Sequence, residues 1–123
     1  MREMPEIEIL HERLAVDDLR RLVIDGFGDM VKYVVDVERG VIAIGGQLHA
    51  DAEALLLDSG SRQDDLWGAN YYPGTSPEKC IEFTSLINIR PARSNLGMEL
   101  ENPELRERVR ALTFALIGHG EAL

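Results

Sequence analysis

Few groups in this 123-residue chain offer chemistry: three histidines, one cysteine, and carboxylates that outnumber the cations 22 to 13. The densest cluster is His49-Ala50-Asp51-Ala52-Glu53, just after Gly45-Gly46. It puts an imidazole and two carboxylates within about one helical turn. A His-x-Asp pair can supply two ligands of a facial metal site. A third ligand is not legible, because His11 and His119 lie near the two ends of the sequence, so no metal is expected. The plainer reading is a helix start, with Asp51 and Glu53 meeting its free N–H groups and positive end.

A second group is Trp67, Asn70, Asn88 and Arg90. Trp67 and Asn70 fall in one extended segment, and Asn88 and Arg90 lie two apart in another. If the two segments pair, amide groups and a forked cation gather near an aromatic ring, which suits a small anionic or carbonyl-bearing ligand. The same residue types also build internal polar networks and subunit interfaces. A third group, Asp36, Asp64 and Asp65, could form a carboxylate pair for acid/base work if strand ends brought it together. Solvated turn acids are the simpler reading. No phosphate-binding loop, dinucleotide fingerprint or nucleophile elbow follows any of the glycines, so no cofactor is expected.

The net charge of −9 repels phosphate backbones and argues against nucleic acid as a partner. No apolar run approaches the ~18 residues of a membrane helix. Cys80 is the single cysteine and has no internal disulfide partner, and Met1–Pro5 lacks a signal-peptide pattern, so a cytoplasmic location is expected. Cys80 itself reads as a small apolar residue in a strand.

The positioning elements can be read from periodicity. Val16, Leu19, Leu22, Val23 and Phe27 recur at helical spacing, with Asp17 and Asp18 in the first turn, and predict an amphipathic helix. Leu105, Val109, Leu112 and Leu116 predict a second, started by Asn102-Pro103. Ala50–Ser59 reads as a short helix stopped by Gly60. Ile7–Leu10 predicts a short strand at a sheet edge. Val31–Glu38 and Val41–Leu48 form a hairpin around Glu38-Arg39-Gly40, and Leu66–Tyr72 with Cys80–Arg90 form a second. Cys80–Arg90 has the cleanest alternation, with Ile81, Phe83, Ser85, Ile87 and Ile89 on the core face. Asn88 and Arg90 fall on the polar face. Gly45-Gly46 marks a bulge or a close approach of a backbone or ligand.

These elements predict a single α+β domain over residues 1–123. Its architecture is a two-layer sandwich with an antiparallel or mixed sheet of two hairpins, two amphipathic helices on one face, and a short helix between the hairpins. The blocks GDMVKYVVDVERG, AIGGQLHAD, LLLDSGSRQDDLWGANYYP and IEFTSLINIRP, within Gly28 to Pro91, resemble a family of small uncharacterised prokaryotic proteins that carries a domain-of-unknown-function label. The resemblance implies a common fold and supplies no reaction.

Two functions remain open on the sequence. One is a ligand-binding or protein-interaction module whose site is drawn from His49, Asp51, Trp67, Asn70, Asn88 and Arg90. The other is a small hydrolase-like enzyme using His49 with Asp51 or another carboxylate. The expected partners are a small anionic ligand and a second copy of the chain. A homodimer is expected because Val34, Leu86 and Trp67 are assigned to an open sheet face. Arg90, placed near the start of the His49 helix, is expected to pair with Asp51, Glu53 or a bound anion.

Overall fold

The computed structural model describes residues 6–123. Its five-stranded sheet is antiparallel throughout, in the order β1-β3-β2-β4-β5. The strands are β1 (Glu8–Leu10), β2 (Val31–Asp36), β3 (Val41–Ile44), β4 (Leu66–Tyr71) and β5 (Ile81–Glu82). The helices are α1 (Val16–Asp25), α2 (His49–Asp58) and α3 (Pro103–Leu116). The α+β class, the first hairpin, the edge position of β1 and the three helices agree with the sequence reading.

Period-two alternation sorts the sheet into two faces. Val31, Tyr33 and Val35 of β2, Ile42 and Ile44 of β3, and Trp67, Ala69 and Tyr71 of β4 pack with Leu19, Leu22 and Val23 of α1 and Val109 and Leu116 of α3. This is the main core, and it places the two amphipathic helices on one face as expected. Tyr33 anchors it with a buried polar contact, its hydroxyl 2.7 Å from the Thr113 hydroxyl. Asn102 starts α3 by accepting the Glu104 and Leu105 N–H groups, with Pro103 following it.

The opposite face is not open. Ala52 and Leu56 of α2 close over Val34, Ala43 and Leu66 to make a second, smaller core. Two of the three residues assigned to an exposed face are thereby buried: Val34 under α2, and Trp67 in the main core. Only Leu86 is exposed. The dimer expectation therefore loses the surface on which it rested.

The larger departure is at Cys80–Arg90. Only Ile81 and Glu82 join β4, as Tyr71↔Ile81 and Asn70↔Glu82. Leu86–Asn88 and Pro91–Arg93 are instead short 3₁₀ turns. The alternation is broken at Ser85, whose hydroxyl accepts the Ile87 N–H and curls the backbone. Phe83 and Ser85 stay buried, whereas Ile89, expected in the core, is exposed. Cys80 precedes the strand and is buried.

Gly45 and Gly46 both have positive φ, at 111° and 83°. A side chain at Gly45 would collide with the Glu6 carbonyl, and one at Gly46 would press on Ile7. The diglycine admits a neighbouring backbone, the segment leading into β1, rather than a ligand.

Candidate functional site

The expected site residues divide among separate environments around β4. Lys32, Asn70 and Glu82 come into one row across β2, β4 and β5, since Lys32 pairs with Asn70 and Asn70 with Glu82. His49, at the start of α2, sits above this row and is buried. Asn70 Nδ2 donates to Glu82 Oε1 at 2.7 Å, and the Tyr72 hydroxyl donates to the same oxygen at 3.3 Å. Asn70 Oδ1 is buried without a partner among the described residues.

The His49 ring has Nε2 2.8 Å from the Ala69 carbonyl oxygen. Because a carbonyl only accepts, Nε2 carries the proton and the neutral ring keeps a lone pair on Nδ1. Burial holds this imidazole below its ordinary value, and the Lys32 charge acts in the same direction, against the opposing hydrogen bond to Ala69. No hydrogen bond or ion pair joins His49 to a carboxylate among the described residues, so the expected His49–Asp51 partnership does not form. Asp51 is exposed, and α2 starts at Leu48 without a side-chain cap. Asp51 thus contributes charge near the helix N-terminus rather than a capping hydrogen bond. Among the described residues no cluster of three His, Cys, Asp or Glu side chains could hold a metal ion.

Lys32, His49 and Asn70 line a cavity of about 330 Å³, closed by Thr84 and Ser85 and walled by Leu48, Leu86, Ile87 and Met98. Gly68 makes room for it. A side chain there would lie 2.6 Å from Ser85 Cβ and 3.2 Å from His49 Cδ2, so the bare glycine lets α2 and the Ser85 turn converge on the sheet. Neither Lys32 nor the Ser85 turn was singled out as a site by sequence reasoning. The available signal for Lys32 was its register opposite Asn70, which a local pattern cannot give.

Asn88 is fully buried and plays a different part from the ligand role expected of it. Its Oδ1 accepts the Gly68 N–H at 2.8 Å, and its Nδ2 donates to the Gly68 carbonyl at 3.0 Å and the Met98 carbonyl at 3.2 Å. Asn95 in turn donates to the Asn88, Gly97 and Glu99 carbonyls and fixes the following loop.

Arg90 pairs with Glu53 at 3.2 Å, one of the partners expected for it. Its guanidinium lies 4.7 Å from the Trp67 ring centre, at the edge of the main core. Burial lowers its basicity, opposed chiefly by the Glu53 carboxylate. Arg90 and His49 do not line the same cavity. Leu86 and Ile87 stand between theirs and contribute to both.

Asp36 is buried, but its carboxylate is occupied. Oδ1 accepts the Glu38 and Arg39 N–H groups at 2.9 Å each, and Oδ2 accepts the Ser61 hydroxyl at 2.6 Å. It organises the β2–β3 turn and forms no acid/base pair with Asp64 or Asp65.

Fold and site together define an α+β domain in which an antiparallel sheet is covered on both faces and a small polar-floored cavity opens beside β4. The chain belongs to the family described as a protein of unknown function, DUF5674, whose model matches residues 8–116. No curated protein and no solved structure matches it. No helix among the described residues is long and apolar enough to cross a membrane.

Proposed function

We propose that the protein is a ligand-binding module and that the His49–Asn70 cavity receives a small anionic molecule with an apolar body. Lys32 carries this reading. It lines the cavity without a carboxylate at ion-pair distance among the described residues, in a chain where acids outnumber bases 22 to 13. Its ammonium instead lies 5.3 Å from the Phe27 ring centre, a contact that leaves its charge available to a ligand.

A ligand carboxylate or similar group would meet Lys32, while Leu48, Leu86, Ile87 and Met98 would take the apolar part. His49 and Asn70 would fix its orientation. Leu48, Leu86 and Met98 are exposed at 58%, 70% and 42%, so the rim offers apolar surface that a bound molecule would cover. We place this activity in the cytoplasm, where the buried thiol of Cys80 stays reduced. Net charge again argues against a nucleic-acid partner.

The test is a thermal-shift and calorimetric screen of small aliphatic and aromatic carboxylates at fixed ionic strength. Stabilisation of the wild type, weakened at least tenfold in Lys32→Met, is expected; a lost charge-assisted hydrogen bond is worth about 1.5–3 kcal/mol. The absence of any stabilising carboxylate, or equal stabilisation of Lys32→Met, would reject the reading.

A further inference from the structure

Beyond the ridge formed by Leu86 and Ile87 lies a second cavity of about 400 Å³. Its charged lining is balanced, with Arg90 and Arg93 against Glu53 and Asp64. That balance stands out in a chain of net charge −9.

Arg90 is the fixed member. Its side chain is only 11% exposed, its ring neighbour is Trp67, and Glu53 holds Nη2. A guanidinium has five N–H donors, yet among the described residues this one makes a single hydrogen bond, and Nη1 is buried with no partner there. Buried donors are rarely left unmet, and a charged one is the most costly to leave so. Arg93 and Asp64, both exposed, form no ion pair among the described residues. The cavity therefore sets around a common space one nearly buried cation that shares a single carboxylate, one exposed cation and one exposed anion without ion pairs among the described residues, with Ile87 and Ile89 alongside.

We infer that this cavity is a second ligand site, which takes a small zwitterion carrying an ammonium and a carboxylate close together, as in a free aliphatic α-amino acid. The carboxylate is received by Arg93 and the Arg90 guanidinium, the ammonium by Asp64 and Glu53, and the side chain by Ile87 and Ile89. A simple anion would face two carboxylates and a simple cation two guanidiniums, so each is disfavoured by half of the lining. The inference does not depend on the Lys32 cavity.

Trp67 is the only tryptophan and lies against Arg90, so its fluorescence reports on this site. Lys32→Met, in which the first cavity has lost its cation, is titrated beside the wild type with L-leucine, N-acetyl-L-leucine and L-leucinamide at fixed ionic strength, with the unfolding midpoint of that variant as a second reading. A saturable fluorescence change and a raised midpoint are expected for L-leucine. Each blocked compound, like Arg93→Gln or Asp64→Asn tested with L-leucine, should bind at least tenfold more weakly, about the effect of one lost charge-assisted hydrogen bond. Lys32→Met should bind L-leucine as the wild type does, which separates this result from that of the first cavity. No saturation with L-leucine would overturn the inference. So would equal binding of the N-acetyl compound or the amide, which would mark a site for a lone carboxylate, a lone amine or a peptide end. Unchanged affinity in both Arg93→Gln and Asp64→Asn would overturn it as well.

Discussion

The side chain of Asn88 hydrogen-bonds both backbone groups of Gly68, at 2.8 Å from the N–H and 3.0 Å from the carbonyl. A carboxamide has the same donor–acceptor pair as a peptide unit, so Asn88 stands where a neighbouring strand would otherwise be. β5 can therefore stop after Glu82 without leaving the edge of β4 unsatisfied.

Replacing Asn88 by Asp keeps the acceptor for Gly68 N–H but removes the donor and buries a charge. Replacing it by Ala leaves both Gly68 groups unmet. Each variant should lose about 2–4 kcal/mol in urea unfolding, with Asp the more pH-dependent of the two. A loss below about 0.5 kcal/mol would show that β4 finds other partners.

Gly68→Ala should also be costly, because its new methyl would press on Ser85 Cβ, an atom with no freedom to swing aside. About 1–3 kcal/mol is expected from overpacking. Ser85→Gly in the same chain should recover part of that loss. Additive effects in the double variant would mean that the strain is relieved elsewhere.

Protonation of His49 should be unfavourable in the folded state, since burial holds its basicity below the ordinary value of 6.5. The folded protein then binds fewer protons than the unfolded chain as pH falls through 6.5. Stability on this account is level above that value and is lost toward acid. His49→Gln keeps a donor for the Ala69 carbonyl and does not titrate. Its unfolding free energy should fall less steeply than that of the wild type between about pH 7.5 and pH 5.5, and parallel profiles would count against this assignment.

The Arg90–Glu53 pair is nearly buried on both sides, at 11% and 13% side-chain exposure. Glu53→Gln should therefore cost about 2–4 kcal/mol, because it leaves a desolvated guanidinium without its carboxylate. Arg90→Met with Glu53→Leu should be less destabilised than the single variants together predict. A double-mutant coupling near zero would show that the two charges are independently solvated.

The sequence alone settled the local questions: about where the helices start and stop, which stripe of α3 packs on the main core, and that β2 and β3 form a hairpin. These rest on spacing, caps and turns within a few residues, as at Asn102-Pro103 or in the stripe from Leu105 to Leu116. It also singled out Arg90 and narrowed its partners to two carboxylates or an anion, since charge near a helix start has few favourable solutions. What it could not decide was whether the alternation of Cys80–Arg90 would be realised as a strand. Alternation states only which side chains would share a face if the backbone stayed extended. Ser85 and Asn88 instead divert their hydrogen-bonding groups to Ile87 and Gly68. The same long-range choices put Trp67 in the core, set Lys32 across from Asn70, and parted His49 from Arg90 by Leu86 and Ile87. Register and layer order fix those relations, and both depend on contacts between residues far apart in the chain.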